Sequence, residues 1–116
     1  GMFCYNGIGT EPDLPQALLW FERAAEQGNR AAQFNCGLMY SEGQGTAKDL
    51  SRALRWFEKA AEQGHPDAQC NCGTFYFNGQ GTERDREKAK FWFGKAAAQG
   101  DEFAKQVLAE QFQEEG

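Results

Sequence analysis

Twelve of the chain's fourteen glycines fall in four columns spaced by 36 residues: Gly1, Gly37 and Gly73; Gly7, Gly43 and Gly79; Gly9, Gly45 and Gly81; Gly28, Gly64 and Gly100. Only Gly94 and Gly116 stand outside them. The three tryptophans, Trp20, Trp56 and Trp92, form a fifth column at the same period. Residues 1–36 and 37–72 share 20 identities, among them Asp13/Asp49, Ala17/Ala53, Phe21/Phe57 and Gln27/Gln63. Self-similarity at a period of this length means stacked supersecondary units, each burying the face its neighbour exposes. A chain of 116 residues holds about three of them.

Each unit reads as two helices. The second helix of a unit opens on Asp13, Asp49 or Asp85, whose carboxylates can accept from free first-turn amides; Gln16 adds a capping-box spacing to the first. Ala17, Trp20, Phe21, Ala24, Ala25 and Gly28 recur at helical spacing, as do Ala53 to Gly64 and Ala89 to Gly100. Gly28, Gly64 and Gly100 sit where a helix end needs a positive φ. Asn29 and Asp101 can cap the next helix, and Pro66 suits a first helical turn after His65. That next helix carries Ala32, Cys36, Gly37, Met39 and Tyr40, matched by Ala68, Cys72, Gly73, Phe75 and Tyr76. The stretch Gly43 to Thr46 breaks it. The expected boundaries are an incomplete first repeat at 1–28, repeats at 29–64 and 65–100, and a capping helix at 101–116, all within one domain.

Gly37 and Gly73 lie mid-helix, where each costs about 1 kcal/mol against Ala. A repeated cost of that kind implies a ring seated on bare backbone, with Tyr40 and Trp56 the expected rings. Each large ring buries on the order of 150–250 Å², which outweighs the glycine penalty several-fold at about 25 cal/mol/Å². The aromatic columns are therefore read as core.

Taken in sequence, Ala-x3-Cys-Gly-x2-Tyr at Ala32 to Tyr40, Gly-x-Gly-Thr-x2-Asp at Gly43 to Asp49 and Ala-x2-Trp-Phe-x2-Ala-Ala-x-Gln-Gly at Ala53 to Gly64 resemble the Sel-one-like repeat, a relative of the tetratricopeptide repeat. The resemblance spans essentially the whole chain. It implies an all-α, right-handed α/α superhelix serving as a protein–protein adaptor, and members that are generally not enzymes. The cysteine-rich branch of that family staples each helix pair through cysteines eight residues apart. Cys4, Cys36, Cys70 and Cys72 do not have that spacing. Cys36 and Cys72, one repeat apart, would stand roughly 10 Å from each other, beyond the about 7 Å that a disulfide spans. Four free thiols are expected, which favours a reducing compartment without excluding the bacterial periplasm or secretion.

The formal net charge of −5 offers phosphate backbones little to hold, so nucleic acid is not an expected partner. No apolar run exceeds Ala17 to Phe21, so no membrane insertion is expected. His65, the single histidine, precedes a proline and reads as a solvated turn residue. The Gly-x-Gly-Thr segments lack the lysine of a phosphate loop, and Cys70 and Cys72 lack a second ligand pair. Glu22, Glu26, Glu58 and Glu62 read as solvated helix faces. No catalytic, metal or cofactor site is expected.

Function is then expected on the first helices of the repeats, which line the concave side in related solenoids. By register the lining residues are Tyr5, Asn6, Phe34, Asn35, Leu38, Ser41, Glu42, Cys70, Asn71, Thr74, Phe77 and Asn78. Phe34, Leu38 and Phe77 are apolar at positions the repeat does not demand, as a partner-binding patch would be; gap-filling between repeats is the other reading. In related tetratricopeptide domains an Asn in the column of Asn35 and Asn71 bonds a peptide backbone. The expectation is a scaffold that binds a protein or peptide there. The alternatives are a hydrolase acting on a cell-wall or β-lactam-like substrate, suggested for some relatives, and a structural spacer within a longer protein. Leu14, Leu18, Leu50 and Leu54 should meet the following repeat, because Arg86 and Lys90 replace them in the last one. The shortened first repeat should leave Ala17, Phe21 and Ala24 poorly covered, giving a fragment of a longer solenoid or self-association through that end.

Overall fold

The computed structural model describes residues 14–112. Its six helices are α1 (Leu14–Glu26), α2 (Arg30–Glu42), α3 (Leu50–Glu62), α4 (Pro66–Asn78), α5 (Arg86–Ala98) and α6 (Glu102–Gln111), and the described residues include no strand. Substantial packing joins consecutive helices only. The result is an elongated all-α repeat stack of 53 × 26 × 26 Å.

The helix boundaries follow from local chemistry. Asp49 accepts from the Arg52 amide and Asp85 from the Lys88 amide, each satisfying an otherwise orphan donor. Asn29 and Asp101 do the same for the amides of Ala32 and Ala104. Asp13 lies outside the described residues. His65 caps α4, its Nδ1 accepting from the Ala68 amide at 3.2 Å, with Pro66 directly behind it. The single histidine is therefore a structural acceptor as well as a turn residue. Gly28, Gly64 and Gly100 end α1, α3 and α5 at φ of 97°, 90° and 95°.

Gly37 and Gly73 do admit a ring, but a different one from those expected. A Cβ on Gly37 would come within 2.5 Å of the Phe57 ring, and one on Gly73 within 2.9 Å of Phe93. Tyr40 and Trp56 do not fill this role, because Phe57 is the side chain of α3 that points back onto α2. Phe57 and Phe93 are both almost fully buried, and Phe57 also meets Phe75 edge-on at 5.5 Å. The tryptophan column is correspondingly looser: Trp92 is buried, Trp56 half-buried and Trp20 58% exposed. One residue separates Trp from Phe in each repeat, and on a helix that is about 100° of rotation, enough to take Trp to the edge of the seam.

Leu18 and Leu54 are buried, and Leu14 and Leu50 are half-buried. The glycine turn of the following repeat presses on the start of this stripe: Gly45 against the Leu14 carbonyl and Gly81 against the Leu50 carbonyl. At the other end, Phe21 and Ala24 are half-buried where their counterparts Phe57 and Ala60 are almost fully buried, so the thinner cover expected of them is present, while Ala17 is buried against that expectation. Packing of α1 on α2 turns that face inward. The exposed apolar residues of α1 are Leu19 and Trp20 instead.

Candidate functional site

The expected groove residues occupy α2 and α4, except Tyr5 and Asn6, which lie outside the described residues. Phe34, Asn35, Leu38, Ser41, Asn71, Thr74 and Phe77 are half-buried, while Glu42 and Asn78 are exposed. Cys70 is buried at 8% exposure. It faces Asp101, and burial followed by that hydrogen bond pushes the thiol up to about 12.

The two phenylalanines work inside the stack. Phe34 stacks on the His65 ring at 4.5 Å and lies 5.6 Å from Phe57. Phe77 meets Phe112 edge-on at 6.0 Å, and the Arg86 guanidinium lies over both rings. These contacts hold consecutive repeats together, as the gap-filling reading requires. Ser41 donates back to the Leu38 carbonyl. Asn35 and Asn71, by contrast, have no side-chain hydrogen bond to any described residue and leave their amides open beside Leu38 and Thr74.

Two polar systems escaped the sequence reading. The first is a glutamine ladder. Buried Gln33 donates to the Ala25 carbonyl and accepts from Gln63, which also donates to the Gly28 carbonyl. Gln69, Gln99, Ala61 and Gly64 repeat the pattern one unit on. Buried amides persist only when satisfied, and here each satisfies the carbonyl end of the preceding second helix. The identity of Gln33 with Gln69 was the available signal. The second system pairs Tyr40 with Glu22 at 2.5 Å and Tyr76 with Glu58. Glu22 and Glu58 are therefore half-buried acceptors rather than solvated carboxylates, while Glu26 and Glu62 are exposed. In the third unit Phe112 replaces the tyrosine and Gly94 the glutamate, so the pair is present or absent as a whole.

None of this arrangement favours nucleophilic chemistry. Burial, and then Glu22 and Glu26, push the Cys36 thiol up to about 12; burial, with Glu58 and Glu62, also raises Cys72. Both stay protonated near neutrality, and a thiol is a poor nucleophile. Cys36, Cys70 and Cys72 are free; Cys4 lies outside the described residues. The chain's two serines donate to the carbonyls of Leu38 and Gly81. Burial lowers the His65 pKa, which keeps its capping nitrogen an acceptor. Among the described residues no cluster of three or more His, Cys, Asp or Glu could hold a metal ion, and no helix is long and apolar enough to cross a membrane.

The family model for the Sel1 repeat matches residues 1–29, 30–65 and 66–101, and the chain belongs to that family. Among solved structures it resembles a protective antigen with an SLR fold from uropathogenic Escherichia coli, at 41% identity and a TM-score of 0.82, over 89% of this chain and 22% of that one. A Sel1 repeat protein from Oxalobacter formigenes matches at 39% identity and a TM-score of 0.81, over 89% and 44% respectively. Cysteine-rich protein B of Helicobacter pylori follows at 25% identity and 0.76, over 80% and 70%. A chitin synthase regulator of Malassezia restricta is 53% identical over 32 residues, which are 28% of this chain and 2% of that protein. The chain thus spans a small part of the curated relative and less than half of the Escherichia coli and Oxalobacter formigenes structures.

Proposed function

We propose that this Sel1 repeat domain is a non-catalytic scaffold that binds a protein segment across the α2 and α4 face. Sel1 repeats are generally protein-interaction scaffolds. The observation that carries the reading to this face is the half-buried pair Asn35 and Asn71, one repeat apart on equivalent turns and without a side-chain hydrogen bond to a described residue, each followed three positions on by a half-buried residue, Leu38 or Thr74. An amide offers both a donor and an acceptor, which is what an extended or helix-end backbone requires. Phe34 and Phe77 supply the rigid floor beneath this row by fixing one repeat against the next.

A photo-crosslinking residue placed at Asn71 in the native host, compared with one at exposed Lys59, tests the face. Crosslinked protein is expected from the Asn71 position, with loss of about tenfold or more in an Asn35→Lys variant of unchanged helicity. Recovery that Asn35→Lys leaves unaltered would remove this face as the binding surface.

A further inference from the structure

The cleft between α1 and α3 has walls of opposite charge. Glu22 and Glu26 line a cavity of about 250 Å³ from the α1 side, and Arg52, Arg55 and Lys59 line it from the α3 side. Within each wall these residues are three or four positions apart and so share one helix face. Among the described residues no ion pair joins the two walls. Glu26, Arg55 and Lys59 are exposed and have neither a hydrogen bond nor an ion pair to any described residue. The floor is different, because its groups are occupied. The Tyr40 hydroxyl donates to Glu22 at 2.5 Å and accepts from Arg52 at 3.4 Å, and the Arg52 guanidinium lies over the Tyr40 ring. Trp56 closes one side, half-buried where Trp20 is exposed and Trp92 buried.

The cleft one unit on is built otherwise. It holds Glu62, Trp92 and Lys95 in a space of about 380 Å³, but Phe91 stands there in place of Arg55, and the Lys95 ammonium lies 5.1 Å from the Phe91 ring centre. The arginine pair belongs to the second unit alone: Gln16 and Leu19 hold the two places before it, Lys88 and Phe91 the two after. Stacking of the repeats therefore does not demand it.

We propose that the cavity between α1 and α3 binds a free aromatic α-amino acid as its zwitterion. Arg55 takes the carboxylate, whose two oxygens match the guanidinium fork. The ammonium pairs with Glu26 on the facing wall, and the ring lies against Trp56. Arg52 and Glu22, tied to Tyr40, position the floor. At about 250 Å³ the space is smaller than the roughly 300–1,000 Å³ of pockets for drug-sized ligands, and an amino acid is correspondingly small. A simple anion would meet the Glu26 carboxylate, and a simple cation would meet Arg52, Arg55 and Lys59. This site uses neither Asn35 nor Asn71 and stands or falls independently of the α2 and α4 face.

The test titrates L-phenylalanine into the whole domain and follows the indole N–H signal of Trp56 by heteronuclear NMR, with Trp56→Phe to assign it. A saturable shift is expected, together with a melting temperature that rises with ligand concentration. Arg55→Phe and Glu26→Ala, which install the third unit's residues at these places, should each weaken binding about tenfold or more, with unchanged helicity and melting in the free protein. Lys95→Gln, in the next cleft, should leave affinity unaltered. N-acetylphenylalanine lacks the ammonium, phenylalanine amide the carboxylate and glycine the ring; each should bind at least about tenfold more weakly. No saturable shift up to about 10 mM ligand overturns the proposal. So does equal affinity in either wall variant, or equal binding of glycine or inorganic phosphate. Equal binding of the acetyl or amide form overturns it too, and would assign the cavity to the end of a peptide chain instead.

Discussion

A methyl group on Gly37 would stand 2.5 Å from two carbons of the Phe57 ring, so a Gly37→Ala variant forces α2 and α3 apart or the ring off its rotamer. Overpacking of that kind costs about 1–3 kcal/mol, against a gain of about 1 kcal/mol in helix propensity. The denaturant midpoint should fall, with the unfolding free energy lower by up to about 2 kcal/mol, the difference of the two. Gly94→Ala gains the same propensity with no clash and should raise the midpoint. A rise for both would mean that the Phe57 seam yields freely. The periodicity marked Gly37 and Gly73 as places for a ring, but the rings expected at Gly37, Tyr40 and Trp56, are not the one that enters, Phe57. That choice depends on which way the α3 face turns toward α2, a property of two helices rather than of one.

At the scale of elements, the caps were the most legible feature, because each depends on residues within three positions of one another. The column Asn29, His65 and Asp101 does one job with three side chains, and only the histidine titrates near neutrality. Burial lowers its pKa in the fold, so between the folded value and the ordinary about 6.5 the unfolded chain binds more protons. Stability from this cap is therefore present above about 6.5 and is lost as pH falls through the folded value. A His65→Asn variant keeps an acceptor that does not titrate, and its melting temperature should fall less between pH 7.5 and pH 5 than that of the parent. Parallel curves would show that the Ala68 bond contributes nothing. The glutamine ladder, by contrast, joins residues 30 and 35 positions apart. It was visible only as an identity between repeats, whose role needed the carbonyl ends of α1 and α3 to be in place.

Over the whole molecule, packing runs from each helix to the next and nowhere else in strength. Stability in such an array approximates a sum of unit and neighbour terms, and opening starts at the ends. Amide exchange should be slowest in α3 and α4, around Ala53, Phe57 and Cys72, and faster in α6; uniform exchange along the chain would indicate all-or-none opening instead. The same scale shows a charge trend: α1, α3 and α5 carry net −1, +1 and +3 by their Asp, Glu, Lys and Arg residues. Repeat positions that are free of packing duties thus differ from unit to unit, which is where binding specificity can reside.

The 36-residue recurrence by itself determined the architecture, because a unit of two short amphipathic helices cannot bury its apolar face except against a copy of itself. It also located the caps and turns, whose chemistry is local. The tertiary structure alone decided which ring enters which glycine gap, that Phe34 and Phe77 pack on rings across the repeat junctions, and that Cys70 is buried. It also showed that a Cβ on Gly94 would meet no described atom within 4 Å. Each of these depends on the angle and distance between helices, and that geometry is set by side chains from two or three units packing at once.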